Sequence, residues 1–334
     1  MNPKVSILVP IYNVSLYIER CARSLFEQTF EDIEYIFVDD ATPDNSIEIL
    51  KYVLEQYPNR QNQVKIIHHR NNKGLATSRN TAIEASKGDY IAVVDSDDYI
   101  EKNMIEELYT FAAAKKADIV VFDAIFEYAE KKEYISDKLS NNKDENIEKI
   151  LSQKISHSLW NKFVKKEFFK MIECRVPDGL NYGEDFHVTF RLFYYAESIY
   201  KRDKTYYHYN CINNQSITRE VTEMHFENSI KLWSLIDDFL KNKLIFERYK
   251  QFIVRPKAER KLRLILDTTD PKLRKKYSTI FMEEEMSCLR LFSKSERLFL
   301  WILRNKMHSI FELLYKVLLF KNKLSSIVNN TIKK

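Results

Sequence analysis

Tyr90–Asp98, YIAVVDSDD, is a short apolar run that stops at three carboxylates within four positions. Tyr90–Val94 has the length and β-branching of a buried strand, closer to a parallel-sheet strand than to a helix. Asp95, Asp97 and Asp98 then fall where such a strand ends, and in open α/β sheets ligands bind outside that end. Packed acids repel one another unless a cation or a network of donors neutralises them. Oxygen ligands of this kind suit Mg²⁺ or Mn²⁺, and a Mg²⁺ site typically takes one or two carboxylates plus substrate phosphates. An isolated DSDD reads equally well as a solvated acidic turn capping the next helix, so the neighbouring chain has to decide.

On both sides, strand-length apolar runs alternate with helical spacing. Val5–Val9 reads as a strand closed by Pro10, and Ile18, Cys21, Ala22 and Leu25 share a helix face. Tyr35–Val38 is a second strand ending in Asp39-Asp40. The turn Thr42-Pro43-Asp44-Asn45-Ser46 offers a cap to the next helix, whose face is Ile47, Leu50, Val53, Leu54 and Tyr57. Val64–Ile67 is a third strand, Asn71–Gly74 a loop and Leu75–Ser86 a helix, and Gly88-Asp89 turns into the central run. Met104–Lys115 reads as a helix and Ile119–Phe122 as a fifth strand. This alternation predicts a doubly wound, mostly parallel α/β sheet, with right-handed crossovers bringing Asp39-Asp40 and Asp95–Asp98 to one crevice.

Beyond Phe126 the pattern weakens. Lys138–Glu148 is polar and reads as a loop, and Ser158–Phe169 as a helical or turn segment rich in aromatics. Pro177–Glu184 is a glycine-containing loop, Asp185–Tyr195 a helix, and Tyr206–Tyr209 a short aromatic strand. From about Glu220 only helices are expected. Phe226, Ile230, Trp233, Ile236 and Leu240 form one apolar face there.

The totals narrow the classes. A chain of 334 residues with 45% hydrophobic content can bury one large core or two ordinary ones. Its glycines, Gly74, Gly88, Gly179 and Gly183, are never clustered, which excludes a GxGxxG fingerprint and a Walker A loop. Cys21, Cys174, Cys211 and Cys288 form no CxxC, so neither a zinc site nor a disulfide framework is expected, and a reduced, cytoplasmic setting is. A strand pattern begins directly after Lys4, so no signal sequence is expected, and no apolar stretch is long enough to span a membrane. Residues 241–334 carry 23 Lys and Arg against 9 Asp and Glu, whereas the whole chain is only +5. An acidic body with a basic end points to an anionic partner for that end.

Six pieces in order resemble the family 2 glycosyltransferases, bacterial inverting enzymes of the GT-A fold: VSILVPIYN (Val5–Asn13), SLFEQTF (Ser24–Phe30), VDDATPDNS (Val38–Ser46), NNKGLATSRN (Asn71–Asn80), GDYIAVVDSDD (Gly88–Asp98) and GED (Gly183–Asp185). The resemblance covers residues 4–218. It implies a catalytic domain over 1–218, with a nucleotide-sugar half to about 125 and an acceptor half from about 126, followed by a basic helical region over 219–334. It implies a nucleotide-diphosphate sugar donor, a UDP-sugar for preference, and a divalent metal, Mn²⁺ or Mg²⁺. Pro10, Tyr12 and Asp40 match the positions that hold the nucleoside. Asn72, Gly74 and Arg79 match the loop that closes on the donor, where Arg79 could pair with the diphosphate. Asp95 matches a contact to the donor ribose or sugar, Asp97 the direct metal ligand, and Asp98 an acid that positions Asp97. Asp185 matches the catalytic base, which takes the acceptor proton opposite the leaving group. Glu184 is the alternative base or an acceptor contact, and both acids also suit a helix start. Trp160 and Lys162 match a WxK element beside the acceptor. His208 departs from the family's basic loop and reads as packed between aromatics.

The resemblance implies an acceptor hydroxyl on a growing, lipid-linked surface glycan. For the basic end two readings stand. The helices pack on the catalytic domain and a second copy, or Arg297–Lys323, with Phe299, Trp301, Phe311, Tyr315 and Phe320 interleaved among lysines, lies on an anionic membrane. Nucleic acid is a poor third. A nucleotidyltransferase would need a glycine-rich basic loop that Pro10–Ser15 lacks. A scaffold on a decayed transferase fold would predict loss of acids that Asp40, Asp95, Asp97 and Asp185 retain.

Overall fold

The computed structural model describes residues 2–171, 174–213 and 220–317, and the chain falls into two compact units, Met1–Ser216 and Ile217–Lys334. The first unit runs β1 (Val5–Ile11), α1 (Ile18–Phe26), β2 (Ile33–Asp39), α2 (Ser46–Glu55), β3 (Val64–His68), α3 (Leu75–Ala85), β4 (Tyr90–Val93), β5 (Tyr99–Ile100), α4 (Met104–Lys115), β6 (Ile119–Glu127), β7 (Lys132–Ile135), α5 (Lys143–Leu151), β8 (Lys162–Lys165), α6 (Lys166–Phe169), α7 (Glu184–Tyr195) and β9 (Ile199–Asn210). The strands form one sheet in the order β3-β2-β1-β4-β8-β6-β9-β5, with β7 on β6. β3, β2, β1 and β4 are mutually parallel, as are β6 and β9, while β8 is antiparallel to both β4 and β6.

The strand order reverses at β1. Connections lead outward to β2 and β3 on one side and to β4 on the other. The crevice outside the C-terminal ends of β1 and β4 is the position such sheets use for ligands. It gathers the turn after β2 and the acidic run after β4. β1 is buried along its whole length, and α1 covers it with Ile18, Cys21, Ala22, Leu25 and Phe26.

Local readings changed in four places. Pro10 lies inside β1, not after it. Val94 N–H donates to Leu8 and Asp40 N–H to Ile11, so alternate residues of β1 face β4 and β2. Pro10 faces the β4 side after the last pairing, Leu8 with Val93, where no donor is needed. Within the polar run 138–148, α5 begins at Lys143: the Asn142 side chain caps it through Glu145 N–H, and Ile147, Ile150 and Leu151 are buried. Three apolar residues gave too little periodicity to show it. Ser158–Phe169 contains the strand β8, four residues sandwiched between two sheet neighbours. β9 is twelve residues long, because the polar Lys201–Lys204 belongs to the strand: Lys201 and Arg202 pair with β6, and Asp203 and Lys204 bulge before pairing resumes at Thr205.

The second unit is helical over its described residues: α8 (Glu223–Asn242), α9 (Phe246–Asp267), α10 (Pro271–Lys276), α11 (Met282–Cys288) and α12 (Lys294–Arg304), with residues 308–317 also helical. Phe226, Trp233, Ile236 and Leu240 of α8 are buried as read, but Ile230 is exposed. Lys261 and Glu285 form an ion pair at 2.6 Å with both side chains fully buried. Phe299, Phe311 and Tyr315 are core residues, with Phe299 and Phe311 5.5 Å apart, and do not face outward as a membrane-facing stripe requires. Trp301 remains 45% exposed. Phe320, Lys321 and Lys323 lie outside the described residues. Among the described residues no helix is long and apolar enough to cross a membrane.

Candidate active site

Asp40 follows β2 and is buried. Its Oδ1 accepts from Lys73 N–H at 2.9 Å and bonds His69 Nδ1 at 2.7 Å, and its Oδ2 accepts from Gly74 N–H at 2.7 Å. The carboxylate read as a nucleoside contact therefore holds the Asn71–Gly74 loop in place. Asn72 Oδ1 also accepts from Gly74 N–H, at 3.0 Å. Gly74 has φ +87°, and a Cβ there would lie 2.5 Å from Asn181 Oδ1. That same oxygen accepts from Ala76 N–H at 3.3 Å, in the first turn of α3. Pro10 is buried, while Tyr12, just past β1, is 46% exposed and presents its ring to solvent.

The acidic run after β4 divides by role. Asp98 is fully buried, accepting from Asn210 N–H at 2.7 Å and Tyr207 Oη–H at 2.7 Å, so it ties the turn to β9. Burial, with Asp97 and Asp95 nearby, pushes its carboxyl well above the usual range. Asp97 accepts from Asn213 Nδ2 at 2.8 Å, and burial followed by the charge of Asp95 raises its proton affinity too. Among the described residues no three His, Cys, Asp or Glu side chains converge as a ready-made cage. A carboxylate short of positive charge, holding one neutral donor, still fits a divalent cation completed by substrate phosphates.

Arg79 joins three carboxylates. Its buried guanidinium donates to Asp95 Oδ1 at 3.0 Å, to Glu184 Oε1 at 2.5 Å and to Asp185 Oδ1. Its Nη1 and Nη2 are taken up by these acids, while its buried Nε has no hydrogen-bond partner among the described residues. Burial opposes its charge, but Asp185, Asp95 and Glu184 together hold it above its ordinary value. The second oxygen of Asp185 accepts from Leu159 N–H at 3.2 Å. Glu184 is pushed up to about 7 by burial and by Asp185; burial also raises Asp185, against the pull of Arg79. The Asp185 side chain is 21% exposed against 9% for Glu184, so Asp185 is the more open of the two.

Trp160 and Lys162 are corrected by burial. Trp160 is 4% exposed and stacks on Tyr207, centroids 4.6 Å apart, with Tyr209 at 5.7 Å, so no face is open to a sugar. Lys162 is fully enclosed, and its Nζ donates to Ser156 O, Ser158 O and Asn161 Oδ1. His208, read as packed between aromatics, stacks on one of them, Tyr99, at 4.2 Å, and its ring nitrogens meet Glu101 and Glu127. Sequence reasoning missed Asn181, Asn213, Tyr207 and the Leu159 N–H. It also missed Asn80, whose side chain makes a two-way bond with the backbone of Val176.

Fold and site define a GT-A-type α/β transferase with its acids at a topological switch point. The model for the family described as Glycosyl transferase family 2 matches residues 6–172, and the chain belongs to that family. It is 30% identical over 257 residues, 75% of this chain and 73% of the other, to EpsH of Bacillus subtilis (strain 168), described as a glycosyltransferase. Over 120 residues, 35% of this chain and 18% of the other, it is 40% identical to a poly(ribitol-phosphate) beta-glucosyltransferase of Bacillus spizizenii. Among solved structures it resembles S. aureus TarS 1–349, with a TM-score of 0.59 at 19% identity over 94% of this chain and 90% of that one. TarS has also been solved in complex with UDP-GlcNAc.

Proposed function

We propose that this glycosyltransferase inverts the anomeric centre as it moves a sugar from a nucleotide-diphosphate donor to a hydroxyl of a growing, lipid-linked surface glycan. The observation that carries this reading is the Arg79 bridge. It draws Asp95, at the end of β4, and Asp185, at the start of α7, onto one guanidinium. A donor-side acid and a candidate base thus face the same crevice. In the proposed step the acceptor oxygen attacks the anomeric carbon in line. Its proton passes to Asp185, and the bond to the diphosphate breaks with the electron pair leaving on phosphate oxygen. Asp97 would hold a divalent cation, which when bound supplies charge neutralisation to the departing diphosphate. Tyr12 offers its exposed ring for stacking on the base. The surface-glycan acceptor is supported by the name of the B. spizizenii relative, and the bound UDP-GlcNAc of TarS makes a UDP-sugar the first donor to test.

The test is a thermal-shift screen of UDP, GDP, CMP and TDP, each with and without Mn²⁺ or Mg²⁺. A ligand that binds only the folded state raises Tm. A metal-dependent rise with one nucleotide is expected. No rise with any of them, with or without acceptor glycan, would remove the donor site.

The basic helical unit is proposed to meet an anionic membrane. Its charge surplus and the exposed Leu298 and Trp301 beside Arg297 support this. Sedimentation of the full chain with phosphatidylglycerol vesicles, but not phosphatidylcholine ones, is the expected result.

A further inference from the structure

We propose that Lys162 is a positioning residue for Asp185: its ammonium gathers the Ser156 and Ser158 carbonyls and thereby holds the Leu159 N–H against Asp185 Oδ2. The inference rests on the reading of Asp185 as base.

Lys162 sits on β8 between two neighbouring strands and is 1% exposed. Its Nζ donates to Ser156 O at 2.9 Å, Ser158 O at 2.7 Å and Asn161 Oδ1 at 2.6 Å. An ammonium has three donors, and all three are used on neutral oxygens. The turn 156–159 is braced from two further directions. Ser156 N–H donates to Asp137 Oδ1 at 2.8 Å, and Thr189 Oγ1 on α7 donates to His157 O at 2.7 Å. The His157 ring lies flat on Phe186 at 3.8 Å. The one main-chain donor that this bracing delivers to the site is Leu159 N–H, 3.2 Å from Asp185 Oδ2.

A purely structural account of Lys162 is weak. Burying an ammonium without a bonded carboxylate is costly, and burial pushes this one down to about 8. Methionine would fill the same strand position without that cost. It could not gather carbonyls. The charged groups that face Asp185 are Arg79 from α3, Asp95 from the end of β4, Glu184 from α7 and Lys162 from β8. The Lys162 charge and the N–H it fixes both favour the ionised carboxylate, the form that can accept a proton.

The experiment is a ¹³C-carboxyl titration of Asp185 in the full chain labelled with ¹³C-aspartate, the resonance assigned by its loss in Asp185→Asn. In Lys162→Met the midpoint is expected to rise by about one pH unit, tenfold in proton affinity. In Thr189→Val it should rise in the same direction by less. An unmoved midpoint in a Lys162→Met chain that still melts cooperatively overturns the proposal. If Lys162→Met does not fold, an unmoved midpoint in Thr189→Val does so. The base assignment fails separately: sugar transfer by Asp185→Asn would remove it and leave the link between Lys162 and Asp185 standing.

Discussion

Arg79 Nη1 lies 2.5 Å from Glu184 Oε1, although 105 positions separate the two residues. The bond joins α3, the helix after the Asn71–Gly74 loop, to α7, the helix that opens with the Glu-Asp pair. Removing the cation would leave Asp95, Glu184 and Asp185 facing one another in a poorly hydrated crevice. Breaking a buried charge cluster from one side costs about 3 kcal/mol or more. Arg79→Met is therefore expected to lose about that much in urea unfolding at pH 7.5. Arg79→Lys should recover little, because the guanidinium reaches the separate acids with two nitrogens and an ammonium is a single point charge.

The two acids at the start of α7 should respond differently to neutralisation. Asp185 is the more exposed, with Leu159 N–H fixing one oxygen. General-base catalysis contributes about 10²–10⁴-fold. Asp185→Asn should lower transfer by that order while donor binding, read by calorimetric titration, persists. Glu184→Gln should keep most of the activity. The opposite ranking would transfer the base role to Glu184.

Glu184 also sets a pH dependence of stability. Its folded value, about 7, lies above the ordinary 4.5 of an unfolded glutamate. A raised carboxyl stabilises the fold fully below about pH 4.5, and that contribution is lost as pH rises through 7. Asp185 is shifted in the same direction. Tm should fall between pH 5 and 8, and Glu184→Gln should flatten the fall. An equally steep fall in Glu184→Gln would assign it to other groups.

Much of this site was legible in the sequence because strand ends announce themselves. YIAVVDSDD stops at its acids, and the β-α alternation around it fixes which edge of the sheet they share. What stayed hidden was burial and main-chain chemistry. Trp160 and Lys162 were read as flanking an acceptor, but the four residues of β8 carry no periodicity to show that Lys162 sits inside the sheet or that Trp160, two residues before it, is buried. Two of the three acids that Arg79 meets, Glu184 and Asp185, lie 105 and 106 positions along the chain, beyond the reach of any local pattern. Leu159 contributes an N–H that no side-chain pattern can encode. Asn181 and Asn213 lie outside any helix or strand, and only the folded chain shows what they meet.

Gly74 tests whether the Asn71–Gly74 loop serves the donor. At φ +87° any L side chain is strained, and a Cβ would collide with Asn181. Strain of this kind costs about 1–3 kcal/mol. Gly74→Ala should lower Tm and weaken nucleotide binding, since the loop can no longer present both N–H groups to Asp40. Adding Asn181→Ala relieves the collision but not the backbone strain, so rescue should be partial. Full rescue in the double variant would mean that contact alone dictates glycine.

Trp160 separates a packing role from a sugar platform. Its ring stacks on Tyr207. The Tyr207 hydroxyl donates to Asp98 Oδ2 at 2.7 Å and accepts from Asp95 N–H at 3.0 Å. A smaller ring at 160 would leave a cavity beside Tyr207 and loosen the turn that carries Asp95 and Asp97. Trp160→Phe is therefore expected to cost about 2 kcal/mol of stability and to lower kcat, with acceptor KM nearly unchanged. A sugar platform would behave in the reverse way: stability kept, acceptor KM raised. Measuring urea unfolding and acceptor KM on the same variant distinguishes the two. The stacking geometry requires the first outcome, because the face that a sugar would need is occupied by Tyr207.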